Sequence, residues 1–169
     1  MKKSLYLALF LAWICVLSGG LLALANDVTA PIIEKNNAQA EAASFDALFG
    51  AGTQYTAVEF DNAAYPHIEK VFKAGADNYA YKATIYGFQS DITFIVGIES
   101  NGNIMGFATL SINDTPGFGA RVGTQEYVDL VMGSDITKNV DTLAGATVSS
   151  SAVQSALAEI GQHYANEVK

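Results

Sequence analysis

The sequence contains little cysteine, little histidine and few charges. Its single cysteine, Cys15, excludes a disulfide within one chain, and also an iron–sulfur cluster or a Cys-rich zinc site built from one chain. The two histidines, His67 and His163, are far apart, and we find no metal-binding motif. Charged residues make up 15% of the chain, and the net charge is −8, with no basic run beyond Lys2 and Lys3. An acidic chain without a basic patch argues against nucleic-acid binding.

An apolar stretch without a charge covers residues 4–25. As a helix that rises about 1.5 Å per residue, it would span roughly 33 Å, which is enough to cross a bilayer core. Two lysines precede the stretch and Asp27 follows it, so the positive-inside rule places the N-terminus in the cytoplasm and the remainder outside. We therefore expect a retained transmembrane helix. A cleaved signal peptide is the alternative, because Ala-Leu-Ala at positions 23–25 matches the small-x-small cleavage pattern.

The chain is therefore expected to have three segments. Residues 1–25 form the anchor, residues 26–50 a membrane-proximal linker or helix, and residues 51–169 a domain. Thr-Ala-Pro at positions 29–31 is typical of a helix start, because the missing N–H of proline is harmless in a first turn. We expect a helix over residues 32–48.

Strand signals follow in the middle of the chain. Residues 79–86 are rich in aromatic and β-branched side chains, and residues 92–98 form a short apolar run. Asn101-Gly102 is a strong hairpin-turn pair, and residues 103–112 have the pattern of a partner strand. The sequence therefore predicts an antiparallel hairpin over residues 92–112.

The C-terminal part has helical signals. Residues 124–132 have the pattern of a short helix. Apolar residues recur at helical spacing near the C-terminus: Val153, Leu157, Ile160, Tyr164 and Val168. The serines at 149–151 are candidate N-caps, and Ser151 with Gln154 fits a capping box. Strands followed by a helix indicate an α+β fold, and no Gly-x-Gly-x-x-Gly follows a strand, so a Rossmann site is not indicated.

The first segment with chemical potential is Asp-Thr-Pro-Gly-Phe-Gly-Ala at positions 114–120. Gly117 and Gly119 permit a backbone to approach a ligand closely, and Pro116 stiffens the entry. Phe118, between the two glycines, is suited to lie against a planar ring. By itself, the segment is more typical of an ordinary turn than of a ligand site.

The second segment is Asp-Thr-Leu-Ala-Gly-Ala-Thr-Val-Ser-Ser at positions 141–150, which leads into the final helix. Small residues at 144–146 leave the hydroxyl of Thr147 unobstructed. A helix N-terminus offers free N–H groups and a partial positive charge, which favour a phosphate. A helix cap is the structural alternative for this segment.

Together with the anchor, the two segments resemble the covalent FMN-binding domain of the G subunit of the Rnf complex, whose relative is the C subunit of the sodium-pumping NADH:quinone oxidoreductase. That family has a Glu-Thr-Pro-Gly-Leu-Gly segment, and then Asp-x-x-Ser/Thr-Gly-Ala-Thr. The matching residues here are Thr115, Pro116, Gly117, Gly119, Asp141, Gly145, Ala146 and Thr147. Three positions depart from the pattern, since Asp114 replaces Glu, Phe118 replaces Leu and Ala144 replaces Ser/Thr.

The resemblance implies an electron-transfer subunit of an ion-translocating ferredoxin:NAD⁺ oxidoreductase bound to a bacterial cytoplasmic membrane, with the FMN domain on the outer side. It implies FMN attached by a phosphodiester to Thr147, a flavin transferase that makes the bond, and other subunits of the complex as partners. No catalytic residue or metal site is expected. The remaining candidate FMN-binding residues are those of the two segments: Thr115, Pro116, Gly117, Phe118, Gly119, Asp141, Ala144, Gly145, Ala146, Val148 and Ser149.

Three other functions remain open at this point. The chain could be a C subunit of the quinone-reducing pump, although members of that group look longer. It could be a free-standing extracellular flavin electron carrier. It could also be a membrane-anchored binding module without redox chemistry.

Overall fold

The computed structural model of the protein describes residues 2–50, 52–75 and 77–168. The chain divides into two compact units, with the boundary between Ala40 and Glu41. Its helices are α1 (Lys2–Phe49), α2 (Gln125–Val131) and α3 (Thr147–His163), with a short 3₁₀ helix at Gly119–Gly123 and a π turn at Tyr164–Val168. Its strands are β1 (Tyr55–Val58), β2 (Ile68–Ala74), β3 (Asn78–Tyr86), β4 (Asp91–Ile98) and β5 (Ile104–Ile112).

The first unit is the N-terminal part of α1. It contains an 18-residue window with a mean hydropathy of 2.4, and none of that window is buried against the rest of the chain. Large apolar side chains such as Trp13 and Leu22 are exposed. In length and composition, the helix is sufficient to cross a membrane.

Helix α1 contains Pro31 in its interior, and no new helix begins there. The prediction of a helix start at residues 29–31 is wrong, because α1 continues through Pro31 without a break. Proline removes one backbone donor from a helix interior. Two residues before it, the hydroxyl of Thr29 donates to the carbonyl of Ala25 at 2.9 Å.

The second unit is built on a five-stranded antiparallel sheet in the order β1-β2-β3-β4-β5. Strand β3 confirms the strand predicted at residues 79–86, and β4 and β5 confirm the predicted hairpin. At the turn, Gly102 has a φ of 89°, a value that glycine adopts readily. The N–H of Glu99 donates to the carbonyl of Asn103 at 2.9 Å and closes the hairpin.

One face of the sheet carries the main core. Alternate residues of β4, including Phe94 and Ile98, are fully buried in the same cluster as Val153, Leu157 and Ile160 of α3. The burial of these three helix residues confirms the amphipathic final helix. Helix α2 adds the buried side chains of Tyr127 and Val131 to this cluster. The predicted α+β architecture is therefore confirmed.

The last residues of α1 pack on the other face of the sheet. Phe45 forms a small cluster with Ala80 and Ile95, whose side chains alternate with those of the main core. Gly97 and Gly106 are register partners, and a Cβ at Gly106 would lie 2.3 Å from Cδ2 of Leu48. Paired glycines therefore form a notch for the helix end. The second compact unit therefore includes the end of α1, from Glu41 onward.

The start of α3 differs from the prediction in detail. The helix begins at Thr147, its N-cap residue is Ala146, and no side chain makes a capping hydrogen bond there. The predicted serine caps and the Ser151–Gln154 capping box are therefore wrong. Instead, the hydroxyl of Ser150 accepts from the N–H of Leu143 at 3.1 Å. Buried polar groups must find partners, and here Ser150 bonds to the preceding loop while the hydroxyl of Ser149 donates to Asp114.

Substitution of Gly161 by alanine should destabilise the domain. A Cβ at this position would lie 2.3 Å from the backbone oxygen of Ile136 and 3.3 Å from Cα of Thr137, so α3 would have to move away from that segment. We expect Gly161→Ala to lower the free energy of unfolding by about 1–3 kcal/mol. Helix propensity alone would raise the free energy of unfolding by about 1 kcal/mol, because alanine is favoured over glycine in a helix interior.

Chemical denaturation of the full chain in detergent measures this effect. Ser155→Ala is the matched control, because it also places alanine in α3 but at an exposed position. If Gly161→Ala were as stable as this control, close packing of α3 against residues 136–137 would be disproved.

Candidate functional site

A pocket of about 470 Å³ lies at the N-terminus of α3. Its wall comes from the turn between β3 and β4, the segment after β5, and the start of α3. The lining residues are Phe88, Thr115, Phe118, Gly119, Gly145, Ala146, Thr147, Val148 and Ser149. Its volume is within the range of small-molecule sites, which is about 300–1,000 Å³.

The structure thus brings together the two segments selected from the sequence. Pro116, Gly117, Asp141 and Ala144 belong to the same segments but do not line the pocket. Phe88 lines it and was missed by sequence reasoning. The only signal for Phe88 was its position in the turn that follows the predicted strand at 79–86.

Asp114 holds the three parts of the pocket together. Its side chain is buried, with 4% exposure, and its Oδ2 accepts from the Ser149 hydroxyl at 2.6 Å and from the Phe88 N–H at 3.0 Å. Its Oδ1 accepts from the N–H of Thr115 at 2.7 Å. One carboxylate therefore connects the β3–β4 turn, the segment after β5 and the start of α3.

These contacts also determine the charge of Asp114. Burial by itself raises the pKa of a carboxyl group, but hydrogen bonds from Ser149 and from the backbone N–H groups of Thr115, Phe88 and Gln89 outweigh it. The pKa of Asp114 is therefore held below its ordinary value, and the group is a carboxylate at neutral pH.

Substitution of Asp114 by asparagine should destabilise the domain in a pH-dependent manner. Hydrogen bonds to a charged group contribute about 1.5–3 kcal/mol, so Asp114→Asn should lower the free energy of unfolding by about 2 kcal/mol at pH 7. Because folding lowers the pKa of Asp114, this contribution is present above the unfolded pKa of about 3.9 and is lost as the pH falls through the folded pKa.

The test is denaturation of wild type and Asp114→Asn between pH 3 and pH 8. The stability difference should shrink below about pH 4. Asp91→Asn, at the exposed start of β4, is the control and should show a much smaller difference at pH 7. If the difference in the free energy of unfolding between wild type and Asp114→Asn did not change with pH, an ionised Asp114 would be contradicted.

Thr147 is the first residue of α3, and it is exposed. Its hydroxyl makes no hydrogen bond to any residue within the described ranges. Gly145, two residues before it, has a φ of 81°, and the intervening Ala146 is buried. The chain therefore turns sharply before the helix and presents the threonine hydroxyl outward at the pocket.

The remaining walls suit a planar ligand that carries a phosphate. The side chains of Phe88 and Phe118 are 54% and 63% exposed and line the pocket without being covered by the domain. The hydroxyl oxygen of Thr115 is buried in the wall, and it has no hydrogen-bond partner among the described residues. The uncapped N-terminus of α3 offers N–H groups to an anion. Aromatic faces, an orphaned hydroxyl and a helix N-terminus are all suitable for FMN.

Comparison with known proteins agrees with this site. The family model of the FMN-binding domain matches residues 87–161, which include both pocket segments. The G subunit of an ion-translocating oxidoreductase complex from Methanosarcina acetivorans is 40% identical over 88 residues, which cover 47% of each chain. That match therefore spans about half of the length of this relative.

Two longer matches are weaker in identity. The G subunit of the proton-translocating ferredoxin:NAD(+) oxidoreductase complex of Clostridium ljungdahlii is 24% identical over 156 residues, covering 86% of this chain and 83% of the relative. The G subunit of the Na(+)-translocating ferredoxin:NAD(+) oxidoreductase complex of Acetobacterium woodii is 26% identical, and the match covers 98% of this chain and 93% of the relative.

A solved structure shares the fold. The crystal structure of the C subunit of the Na(+)-translocating NADH-quinone reductase from Parabacteroides distasonis superposes with a TM-score of 0.58 and 18% identity, covering 79% of this chain and 94% of that chain. This likeness shows the fold, and residues 87–161 of this chain are similar to the FMN-binding domain family.

Proposed function

We propose that the chain is an electron-transfer subunit that carries FMN covalently on Thr147 within a membrane-bound, ion-translocating ferredoxin:NAD⁺ oxidoreductase complex. The observation that carries the proposal is the exposed hydroxyl of Thr147 at the mouth of a pocket lined by exposed aromatic side chains. The similarity to the G subunits of such complexes supports the choice of complex. Other subunits would supply the sites for ferredoxin and NAD⁺.

Attachment requires an activated phosphoryl donor, and a flavin dinucleotide suffices. In this step, the Thr147 oxygen forms a bond to the flavin-side phosphorus and the pyrophosphate P–O bond breaks. The nucleoside monophosphate leaves, and the hydroxyl proton is released. The partner that makes the bond would be a flavin transferase, which would also activate the Thr147 hydroxyl, since that hydroxyl has no hydrogen-bond partner among the described residues.

The pocket residues then have distinct tasks. The N–H groups at the start of α3 would stabilise the remaining negative charge of a phosphodiester, by about 0.3–1 kcal/mol where exposed. Phe88 and Phe118 offer apolar faces to the isoalloxazine ring, and the buried hydroxyl of Thr115 offers a hydrogen bond. Bound FMN supplies the electron-transfer chemistry, while the protein holds it in place.

A covalent bond has a physical advantage at the proposed location. We place the domain on the outer face of the cytoplasmic membrane, where lost FMN could not easily be replaced from the cytoplasm. The bond converts a binding equilibrium into a permanently high local concentration of flavin at the pocket.

We also propose that residues 1–25 remain attached as the anchor, with residues 26–50 as the linker or helix and residues 51–169 as the domain. The expected result is a mature protein in the membrane fraction that still starts at the original N-terminus. N-terminal sequencing of that protein measures this. A mature chain that starts at Asn26 would contradict the anchor but not the flavin site.

The function is tested with a complex purified from host membranes through a tag on this chain. It should contain further membrane subunits and reduce NAD⁺ with reduced ferredoxin. A fluorescent flavin band should remain on this chain in a denaturing gel. A fluorescent chain that purifies without partners would instead indicate a free-standing flavin carrier. A chain without bound fluorescence would indicate a binding module and contradict the proposal.

A further inference from the structure

Arg121 connects the 3₁₀ helix to the loop that precedes Thr147. Its Nη1 donates to the carbonyl oxygen of Ala144 at 2.7 Å. Its Nη2 donates to both carboxylate oxygens of Glu126, at 2.9 Å and 2.7 Å. The planar guanidinium group therefore makes contacts in two directions at once, which a lysine ammonium cannot reproduce with the same geometry.

The neighbouring glycine fits this contact. Gly145 has a positive φ, and a Cβ at this position would lie 2.9 Å from Nη1 of Arg121. The guanidinium group thus lies against the backbone at the point where the chain turns. Glycine is needed there both for the turn and for the close approach of Arg121.

The loop that precedes Thr147 makes contacts on both its buried and its exposed side. On the buried side, the N–H of Leu143 donates to Ser150, and Ala146 is buried next to the helix start. On the exposed side, the contact from Arg121 fixes the orientation of the peptide between Ala144 and Gly145. Thr147 follows within two residues, so the direction of its hydroxyl depends on both contacts.

We propose that Arg121 is a positioning residue for flavin attachment, which clamps the Ala144 carbonyl and thereby presents the Thr147 hydroxyl to the transferase. This inference rests on the proposed covalent attachment. An exposed Arg–Glu pair by itself contributes little stability, so the clamp should affect the attachment rate more than the fold. Glu126 assists by holding the guanidinium group in the orientation in which it reaches Ala144.

The experiment measures the kinetics of flavin attachment to the purified full chain in detergent, with a flavin transferase and a flavin dinucleotide, by intact mass. Arg121→Gln should lower kcat/KM of the transferase for this chain by about tenfold or more, with an unchanged melting temperature. Arg121→Lys should not restore the rate, because it keeps the charge but loses the two-directional contact. Glu126→Gln should give an intermediate rate.

Lys70→Gln is the matched control, because it removes one positive charge and an ion pair with Glu41 on another part of the domain. Its attachment rate should equal that of wild type. If wild type acquires flavin and Arg121→Gln does so at the same rate, the clamp is disproved. Full rescue by Arg121→Lys would also overturn it, because charge alone would then explain the effect. A wild type that acquires no flavin would instead refute the proposed covalent attachment.

Discussion

Replacement of Thr147 by alanine should abolish covalent flavin completely. The alanine variant lacks the side-chain oxygen that the phosphodiester requires, and the domain should still fold, because the hydroxyl makes no hydrogen bond within the described ranges. Wild type produced together with a flavin transferase should be heavier by one FMN less one water. Mass spectrometry should locate the addition on the peptide that contains Thr147.

The chain offers a matched control in the same loop. Thr142 is also exposed and lies five residues before Thr147, so Thr142→Ala removes an equivalent hydroxyl and should remain fully flavinylated. Thr147→Ser keeps an oxygen at the same position and should retain part of the modification. A flavinylated Thr147→Ala protein would contradict the assignment, and so would an unmodified wild type in the presence of an active transferase.

The Thr147→Ala variant should also distinguish covalent attachment of FMN from noncovalent binding. The pocket lining in Thr147→Ala is otherwise unchanged, so added FMN should still bind, but should be removed by gel filtration or by denaturation. Retention after denaturation would require a second attachment residue.

The elements with strong local signals were predictable from the sequence. The Asn-Gly pair marked the β4–β5 hairpin because the turn needs a positive φ at Gly102, which glycine adopts readily. Helix α3 has a continuous apolar stripe, and its residues Val153, Leu157 and Ile160 are completely buried. In both cases, the local pattern and the tertiary packing favour the same structure.

Strand β2 was missed for a specific reason. Its buried residues are Ile68, Val71 and Ala74, which recur every three positions rather than every two. A bulge between Ile68 and Lys70 shifts the register, so Ile68 and Val71 both face the main core although they lie three positions apart. Ala74 is buried on the opposite face, so the strand shows no simple alternation. Strand β1 has only four residues and no buried side chain, so it has little pattern to detect.

The site was predictable only as far as its segments. The Thr-Pro-Gly-Phe-Gly segment and the loop before Thr147 were identified together, but their junction depends on Asp114, which is buried through contacts with residues distant in sequence. The β3–β4 turn places Phe88 at the site, and the 3₁₀ helix places Arg121 there. Local pattern therefore could not assign them to it.

The two glycines of that segment should differ in their effects. Gly119→Ala should lower the free energy of unfolding by about 2–3 kcal/mol and strongly reduce flavin incorporation. A Cβ at Gly119 would lie 2.4 Å from Cγ and Oδ2 of Asp114 and 2.6 Å from Oγ of Ser149. These atoms cannot move aside easily, because they belong to short, buried side chains that are bonded to each other.

Gly117→Ala is the matched control two residues away. Gly117 has a φ of 77°, but nothing lies within 4 Å of a Cβ there, so the cost is limited to backbone strain of about 1 kcal/mol. Denaturation and flavin content of both variants provide the comparison. Ser149→Ala combined with Gly119→Ala should recover part of the stability, because it removes one of the clashing atoms and couples the two positions. Equal effects of the two glycine substitutions, without coupling to Ser149, would show that Gly119 is needed only for its backbone conformation.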